Sequence, residues 1–198
     1  MDDFSQSPDT PASPEEPAAA PSTNRFAGLR AALMDVLETI LLSVVLFGII
    51  NLISARIRVE SISMEPTLVQ GQFLYVNKLA YRFAEPQIGE VIVFKYPPDP
   101  TQQYIKRIIG LPGDKVFISG GKVYVNDVPL VEPYIKAPPN YTGNWEVPAE
   151  ALFVLGDNRN RSMDSHVWGM VPLDDVIGKA EFVYWPLTQI RWLGEVQP

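Results

Sequence analysis

The apolar residues of this chain follow two different patterns, and the change lies near residue 56. Before it, 17 consecutive uncharged residues run from Thr39 to Ala55, TILLSVVLFGIINLISA. As a helix this run covers about 26 Å, and the apolar residues before Thr39 extend it toward the roughly 30 Å of a bilayer core. A buried core helix would need a second helix of similar hydrophobicity, and the sequence has none. The pattern therefore predicts one transmembrane helix over residues 29–55.

After residue 56 the pattern is typical of β-strands. Short runs rich in β-branched and aromatic residues alternate with turn residues. The segment VFISGGKVYV places two such runs on either side of Gly-Gly and predicts a β-hairpin. Because strands do not alternate with helices, we expect a mainly β, antiparallel domain over residues 56–198. The predicted strands lie in FLYVNKLAY, EVIVFKY, QYIKRIIG, KVFI, KVYV, ALFVLG and AEFVYW.

Composition excludes several classes of function. A net charge of −7 over 198 residues argues against nucleic acid as a partner, because nucleic-acid-binding proteins concentrate lysine and arginine. With no cysteine and one histidine, the chain has neither a disulfide framework nor a thiolate metal site. We therefore expect no metal and no cofactor.

The N-terminal segment differs from the rest of the chain in composition. Residues 1–28 are rich in proline and acidic residues and poor in large apolar ones. Such a segment buries too little surface to offset its ordering entropy, which predicts a disordered tail. It is not expected to be a cleavable signal peptide, because no basic region directly precedes an early apolar stretch.

Familiar catalytic signatures are missing: the sequence has no GxSxG, GxGxxG, phosphate-binding loop or HExxH motif. One SxxK pattern joins Ser119 to Lys122, but it spans the Gly-Gly turn of the hairpin, whereas this motif requires a helical turn. Two hydroxyls in SISMEPT are better candidates. Ser61 and Ser63 would point to the same side of an extended strand and could share a site.

A candidate base lies in the segment YIKRII. In a strand, Tyr104, Lys106 and Ile108 share one face, and Arg107 lies on the other; the alternative is that both cations reach solvent. Free lysine titrates near pH 10.4, so only about one molecule in 2,500 is neutral at pH 7, a handicap of about 4.6 kcal/mol. Burial of Lys106 would lower its pKa and leave an amine able to accept the proton of Ser63.

Four segments, in order after one apolar helix, are similar to the successive motifs of the type I signal peptidases. They are SISMEPTL, GEVIVFKY, YIKRIIGLPGDKV and GDNRNRSMDSHVWG. The resemblance covers roughly Leu29 to Trp192, and four motifs in this order are highly specific. It implies a membrane-anchored serine endopeptidase with a signal-peptidase-like β fold. Such an enzyme removes N-terminal signal peptides from exported preproteins after small-x-small sites such as A-x-A.

The resemblance also implies residue roles. Ser63 matches the nucleophile and Lys106 its general base. The Ser61 hydroxyl and the Ser63 N–H would form the oxyanion hole. Ser162 matches a serine that hydrogen-bonds and orients the lysine amine, and Asp164 an acid that supports the site.

Further positions follow from the same motifs. His166 stands where many members of the family have arginine, which would make its ion pair with Asp164 weaker and pH-dependent. The turn that closes the pocket matches four consecutive residues, Gly156, Asp157, Asn158 and Arg159. The candidate walls of the substrate pocket are Ile62, Met64, Tyr104 and Ile108.

The expected partners are preprotein signal peptides and the lipid bilayer, with no nucleic acid, and the expected state is a monomer. Basic residues are balanced at the two ends of the apolar helix, so the charge count does not orient it. The topology of the family implies a single-pass protein with a cytoplasmic tail. Its catalytic domain would lie on the extracytoplasmic side, periplasmic or lumenal, of a plasma or thylakoid membrane.

Other interpretations remain open at this stage. The chain could be a different Ser-Lys peptidase, such as a self-cleaving repressor-type protease, although that class lacks a membrane span. It could also be a non-catalytic, membrane-anchored β domain that binds peptides. Within an enzyme, His166 could replace Lys106 as the base of Ser63, although the adjacent residues Asp164, Ser165 and His166 cannot form a triad among themselves.

Overall fold

The computed structural model describes residues 25–194, with side chains from residue 28 onward. A first compact unit ends at Val44, and a second begins at Val45. Most of the predicted tail, residues 1–24, lies outside the described residues. Residues 25–28 were included in that tail, but they are helical.

Helix α1 spans Arg25–Ile53. Its segment Gly28–Ile53 is long and apolar enough, by length and composition, to cross a membrane. Large apolar side chains along its length are not covered by protein, and a helix with apolar residues on all sides is typical of a protein core or of a membrane span.

The predicted end of the helix was two residues too late. Ser54 and Ala55 belong to the first strand rather than to the helix. Lys78 accounts for this end, because its backbone N–H donates to Ile53 O and its Nζ donates to Asn51 O, both at 3.0 Å. A cation placed on the last carbonyls of a helix favours termination there.

After α1, the described residues form twelve strands, two short α-helices and three single-turn 3-10 helices. The strands are β1 Ser54–Arg58, β2 Phe73–Asn77, β3 Val91–Tyr96, β4 Asp99–Gly110, β5 Lys115–Ser119, β6 Lys122–Val125, β7 Val128–Pro129, β8 Gly143–Glu146, β9 Ala151–Leu155, β10 Val171–Pro172, β11 Val176–Trp185 and β12 Arg191–Trp192. The α-helices are α2 Ala80–Phe83 and α3 Ser165–Trp168.

These strands form two antiparallel sheets, which confirms the predicted mainly β fold. The larger sheet has the order β1-β2-β11-β3-β4-β9-β10, with β12 added beside β11. The smaller sheet has the order β7-β6-β5-β8. The predicted hairpin is β5 and β6, where Ser119 lies directly opposite Lys122. The SxxK pattern is therefore the closing pair of a hairpin.

Every predicted run contains a strand, but FLYVNKLAY is only partly extended. Its strand ends at Asn77, and α2 begins at Ala80. The Asn77 side-chain oxygen accepts a hydrogen bond from the Leu79 N–H at 3.0 Å. This local bond replaces a strand partner and turns the chain.

Strand β4 contributes to three separate hydrophobic clusters. Ile105 packs against the cluster around Leu74, whereas Ile109 lies in the cluster of the smaller sheet. Ile108 joins the third cluster, together with Phe94. Because all three clusters pack on it, β4 is held firmly at the centre of the molecule.

Replacing Phe94 by alanine tests the third cluster. Phe94 is fully buried, and its removal is expected to lower the free energy of unfolding by about 3–5 kcal/mol. Phe83, which is 85% exposed, is the matched control, and its alanine variant should stay within about 0.5 kcal/mol of the parent. Denaturant unfolding in detergent micelles measures both. Equal effects of the two variants would contradict this description of the core.

Candidate active site

Ser63 lies in a turn that follows β1, rather than in the extended strand predicted from the sequence. The Glu65 N–H donates to Ile62 O at 3.2 Å, and the Leu68 N–H donates to Met64 O at 2.8 Å. Even so, the hydroxyls of Ser61 and Ser63 meet, with 3.1 Å between the two Oγ atoms. The expected pairing of these hydroxyls is found, in a different backbone conformation.

Lys106 reaches the two serine hydroxyls from the middle of β4. Its Nζ lies 2.7 Å from Ser63 Oγ, although the two residues are 43 positions apart in the sequence. Lys106 is 4% exposed and Ser63 is 7% exposed. The side that carries Lys106 is therefore dry, as a Ser-Lys site requires.

Burial lowers the pKa of Lys106 from 10.5 to about 8, because desolvation disfavours the ammonium. The negative charges of Asp164 and Asp157 oppose this shift. At a pKa of about 8, about a tenth of the lysine is neutral at pH 7, and the handicap falls to roughly 1.4 kcal/mol. The amine is thereby poised to accept a proton.

The turn after β9 holds the Ser63 segment in place through hydrogen bonds. The Asn158 N–H donates to Ser63 O at 2.9 Å, and its Nδ2 donates to Ile62 O at 3.0 Å. Gly156 passes so close that a Cβ there would lie 2.5 Å from Ser63 O and would also clash with the Ser162 hydroxyl. Only glycine allows this approach. Two residues of the predicted turn, Gly156 and Asn158, thus lie against the backbone of the Ser63 segment.

Arg107, for which the sequence predicted no role, is buried on the other face of β4. Its Nε donates to Asp157 Oδ1 at 2.8 Å, and its NH2 group donates to Asp157 Oδ2 at 2.7 Å. Its NH1 group donates to Gly89 O at 2.6 Å. The alternative that both cations of this segment reach solvent is wrong.

Asp164 is fully buried and holds the same turn. Its Oδ2 accepts a hydrogen bond from the Gly156 N–H at 3.0 Å. Its Oδ1 lies 2.5 Å from His166 Nδ1, and the His166 ring stacks on Tyr141 with 3.9 Å between ring centroids. Since His166 is engaged by Asp164, the hydrogen bond to Ser63 comes from Lys106 and not from a histidine.

Ser162 does not make the hydrogen bond to Lys106 that the resemblance implies. Its Oγ is buried and has no hydrogen-bond partner in the described part of the chain. It lies against Gly156, within the same turn region. Its orienting role stays a prediction.

A cavity of about 590 Å³ opens onto the two hydroxyls and the lysine. Of the four residues proposed as pocket walls, Ile62 and Tyr104 line this cavity, whereas Met64 and Ile108 do not. Met64 points away from Ser63 into the cluster around Leu74, and Ile108 is covered by the third cluster. Apolar character alone does not distinguish a residue of the core from one that lines the cavity.

Most of the residues that line the cavity were not predicted from the sequence. The full lining comprises Ile57, Arg58, Glu60, Ser61, Ile62, Ser63, Gln102, Gln103, Tyr104, Ile105, Lys106, Arg161 and Met163. The start of β4 and the end of β1 contribute most of the residues that were not foreseen. Within residues 25–194, no cluster of three or more His, Cys, Asp or Glu side chains is arranged to hold a metal ion.

A Gly156→Ala variant tests the close approach of the two turns. The added Cβ would press on Ser63 O and on the Ser162 side chain, so we expect unfolding to become easier by about 1–3 kcal/mol. Gly194, whose Cβ would meet nothing within 4 Å, supplies the matched control Gly194→Ala. Urea unfolding compares them, and equal midpoints would show that the turns can separate freely.

Comparison with known proteins gives a consistent result. Residues 33–185 match the family described as "Signal peptidase, peptidase S26". Signal peptidase I of Leptolyngbya laminosa is 41% identical over 98% of this chain and 98% of its own length. Thylakoidal processing peptidase 1, chloroplastic, of Arabidopsis thaliana is 36% identical over 67% of this chain and 42% of its own length.

Among solved structures, a signal peptidase I from Enterococcus faecalis V583 is 32% identical, with a TM-score of 0.45 over 48% of this chain and 97% of that one. The family match spans more than half of the chain, and the Leptolyngbya relative is covered almost completely. The chain therefore belongs to the signal peptidase family, peptidase S26, and is an enzyme of that family.

Proposed function

We propose that this signal peptidase cuts signal peptides from exported preproteins with Ser63 as nucleophile and Lys106 as general base, after small-x-small sites such as A-x-A. The observation that carries the proposal is the 2.7 Å contact between Lys106 Nζ and Ser63 Oγ, two side chains that are both buried. A buried amine of lowered pKa is the form in which lysine can act as a base.

Catalysis would begin with neutral Lys106. Its Nζ takes the proton of the Ser63 hydroxyl as Oγ attacks the carbonyl carbon of the scissile peptide bond. The carbonyl oxygen becomes an oxyanion, which the Ser61 hydroxyl and the Ser63 N–H would stabilise. The Ser61 hydroxyl already lies 3.1 Å from Ser63 Oγ, within easy reach of a group bonded to that atom.

The intermediate then collapses. The carbon–nitrogen bond breaks, and the ammonium of Lys106 returns its proton to the leaving amine of the mature protein. A water molecule next attacks the acyl ester, its proton passes to Lys106, and Ser63 regains its hydroxyl proton as the signal peptide leaves. The same amine thus serves as base and as acid in both halves of the reaction.

The remaining predicted residues would support this chemistry without contacting the substrate, by setting the pKa of Lys106 and by holding the turn beside Ser63. Asp157 and Asp164 keep the pKa of Lys106 from falling further. Gly156, Asn158 and Asp164 hold the turn against Ser63. For Ser162 we propose that its hydroxyl turns to the Lys106 amine during the reaction, since a buried hydroxyl gains from any partner it finds.

The cavity supports a peptide substrate with small residues near the cut. Ile57, Ile62 and Ile105 give it apolar walls beside the two serines. Branched side chains at the wall would admit an alanine and exclude bulkier groups. Membership in a peptidase family favours this reading over that of a non-catalytic peptide-binding domain.

We also propose that the enzyme is a single-pass membrane protein and a monomer whose catalytic domain also touches the bilayer. Apolar side chains near the C-terminal end of the described chain are exposed, and Trp192 is 73% exposed. Tryptophan favours the membrane interface, where its ring is apolar and its N–H is solvated. The exposed residues are Trp185, Leu187, Ile190 and Trp192.

For the orientation, we propose an extracytoplasmic catalytic domain, because signal peptides are cut after export. The membrane would be a plasma or thylakoid membrane. The Leptolyngbya signal peptidase and the chloroplast thylakoidal peptidase among the relatives support this range.

Removing the nucleophile tests the enzyme most directly. A Ser63→Ala variant, incubated in micelles with a preprotein, should lose at least about 10³-fold in cleavage rate, since no other group can form the acyl ester. Ser119→Ala is the matched control and should cleave normally, because Ser119 closes a hairpin in the smaller sheet. Unchanged processing by Ser63→Ala would remove the proposed mechanism.

The pH dependence tests the base. Lys106 acts when neutral, so cleavage should be weak below its pKa of about 8 and should rise as the pH passes through that value. A plot of log kcat against pH should show a slope near one on the acid side. A limb near pH 6.5, the range of an ordinary histidine, would contradict Lys106 as the base.

Substitutions separate the two candidate bases. Lys106→Ala should lose about 10²–10⁴-fold in kcat, the usual contribution of a general base. His166→Ala should stay within about tenfold of the parent, because His166 contacts Asp164 rather than Ser63. The opposite order of the two losses would move the role of base to His166.

A further inference from the structure

Two side chains from the smaller sheet region reach the catalytic turn. Glu132 and Tyr134 lie in the connection from β7 to β8, outside both motifs that carry the dyad. Glu132 Oε1 and Oε2 accept hydrogen bonds from the two terminal nitrogens of Arg159, at 2.6 and 3.0 Å. Both side chains are almost completely buried. This is a bidentate, water-excluded ion pair.

Tyr134 lies between the two arginines of the site. The guanidinium of Arg107 stands 4.0 Å from its ring centroid, and that of Arg159 stands 5.9 Å away. The Tyr134 hydroxyl donates to Glu132 Oε1 at 3.0 Å. Burial and the nearby Glu132 charge raise the pKa of Tyr134, which keeps the hydroxyl neutral and able to donate. Attraction between each cation and the ring adds to the hydrogen bond.

This cluster is connected to the nucleophile through three bonds of the catalytic turn. Arg159 Nε donates to Gly156 O at 3.1 Å. Arg107 forms a bidentate ion pair with Asp157, the residue that follows Gly156. The Asn158 N–H then donates to Ser63 O. Arg107 and Arg159 therefore both hold the turn. Both guanidinium groups lie near the ring of Tyr134, and Arg159 also pairs with Glu132.

We propose that Glu132 and Tyr134 are positioning residues for signal-peptide cleavage, which hold the Gly156–Arg159 turn, and through it Ser63, in register with Lys106. This inference rests on the proposed function of the Ser63 and Lys106 pair. Neither residue touches the cavity or the dyad. Their effect passes through Arg107 and Arg159.

A purely structural contribution to stability is the competing explanation, and the two differ in what they change. A structural role alters the fraction of folded enzyme, but not the rate per folded molecule. A positioning role lowers kcat in folded enzyme, because a shift of about 1 Å in a catalytic group can cost about 10²-fold. It also alters the surroundings of Lys106, since a loosened turn carries the Asp157 charge away from the amine.

The test uses the full-length chain in detergent micelles with a peptide that spans an A-x-A cleavage site. The variants are Glu132→Gln and the milder Tyr134→Phe, which removes one hydroxyl and keeps the ring. Glu146→Gln and Tyr124→Phe are matched controls, because both residues lie on strands of the same smaller sheet, β8 and β6. Rates are taken well below the thermal midpoint of each variant.

We expect Glu132→Gln to lower kcat at least about tenfold and Tyr134→Phe about threefold, with KM within about twofold, as misplacement of a catalytic group predicts. The acid limb of the pH profile should also move to lower pH in both variants. Asp157 raises the pKa of Lys106, so its withdrawal lowers that pKa. The controls should match the parent in rate and in pH profile.

The inference fails if both variants match their controls in kcat and in pH profile, whatever happens to their thermal midpoints. If Glu132→Gln does not fold, Tyr134→Phe alone decides, by the same two readouts. A Ser63→Ala sample in the same series separates failure of the proposed mechanism from failure of the positioning role. Cleavage by Ser63→Ala overturns the proposed mechanism, whereas its loss beside normal Glu132 and Tyr134 variants overturns only the positioning role.

Discussion

The rest of this structure depends on the contact between the buried amine of Lys106 and the hydroxyl of Ser63. Lys106 must lose water to lose its proton, yet Asp157 and Asp164 lie close enough to raise its pKa again. Asp157 is kept in place by the bidentate guanidinium of Arg107, and Asp164 by the Gly156 N–H and His166. The resulting pKa of about 8 is a balance between burial and two carboxylates that are themselves restrained.

The fold keeps Lys106 buried and fixed in position by placing it on β4, the strand that packs against all three clusters. Strand β4 supports all three hydrophobic clusters, so the position of Lys106 is fixed by packing on both sides of the sheet. The nucleophile, in contrast, sits in a turn and has no strand neighbours to hold it. The turn after β9 compensates, because Asn158 binds the carbonyls of Ile62 and Ser63. A rigid base is thus matched to a nucleophile that is clamped by a second loop.

Much of the fold and the dyad could be predicted from the sequence, because strand patterns and ordered motifs are local signals. The conformation around Ser61 and Ser63 could not, since hydroxyls two residues apart can converge in a strand or in a turn. Met64 and Ile108 were assigned to the pocket because they are apolar, but apolar character does not distinguish a core wall from a cavity wall. Glu132 and Tyr134 could not be assigned to the site from the sequence, because the arginines that connect them to it, Arg159 and Arg107, lie far away in the sequence on separate elements.

Strand register explains why the motif around the base depends on the whole sheet. Lys106 and Arg107 are adjacent cations on opposite faces of β4, and pairing with Ile92 of β3 directs Lys106 toward Ser63. A slip of one residue would exchange the two side chains. Arginine keeps its proton at any physiological pH, so the composition of the site would be preserved while its base was lost. The three clusters packed on β4 and the Arg107–Asp157 pair oppose that slip, which makes packing far from the dyad a condition of its chemistry.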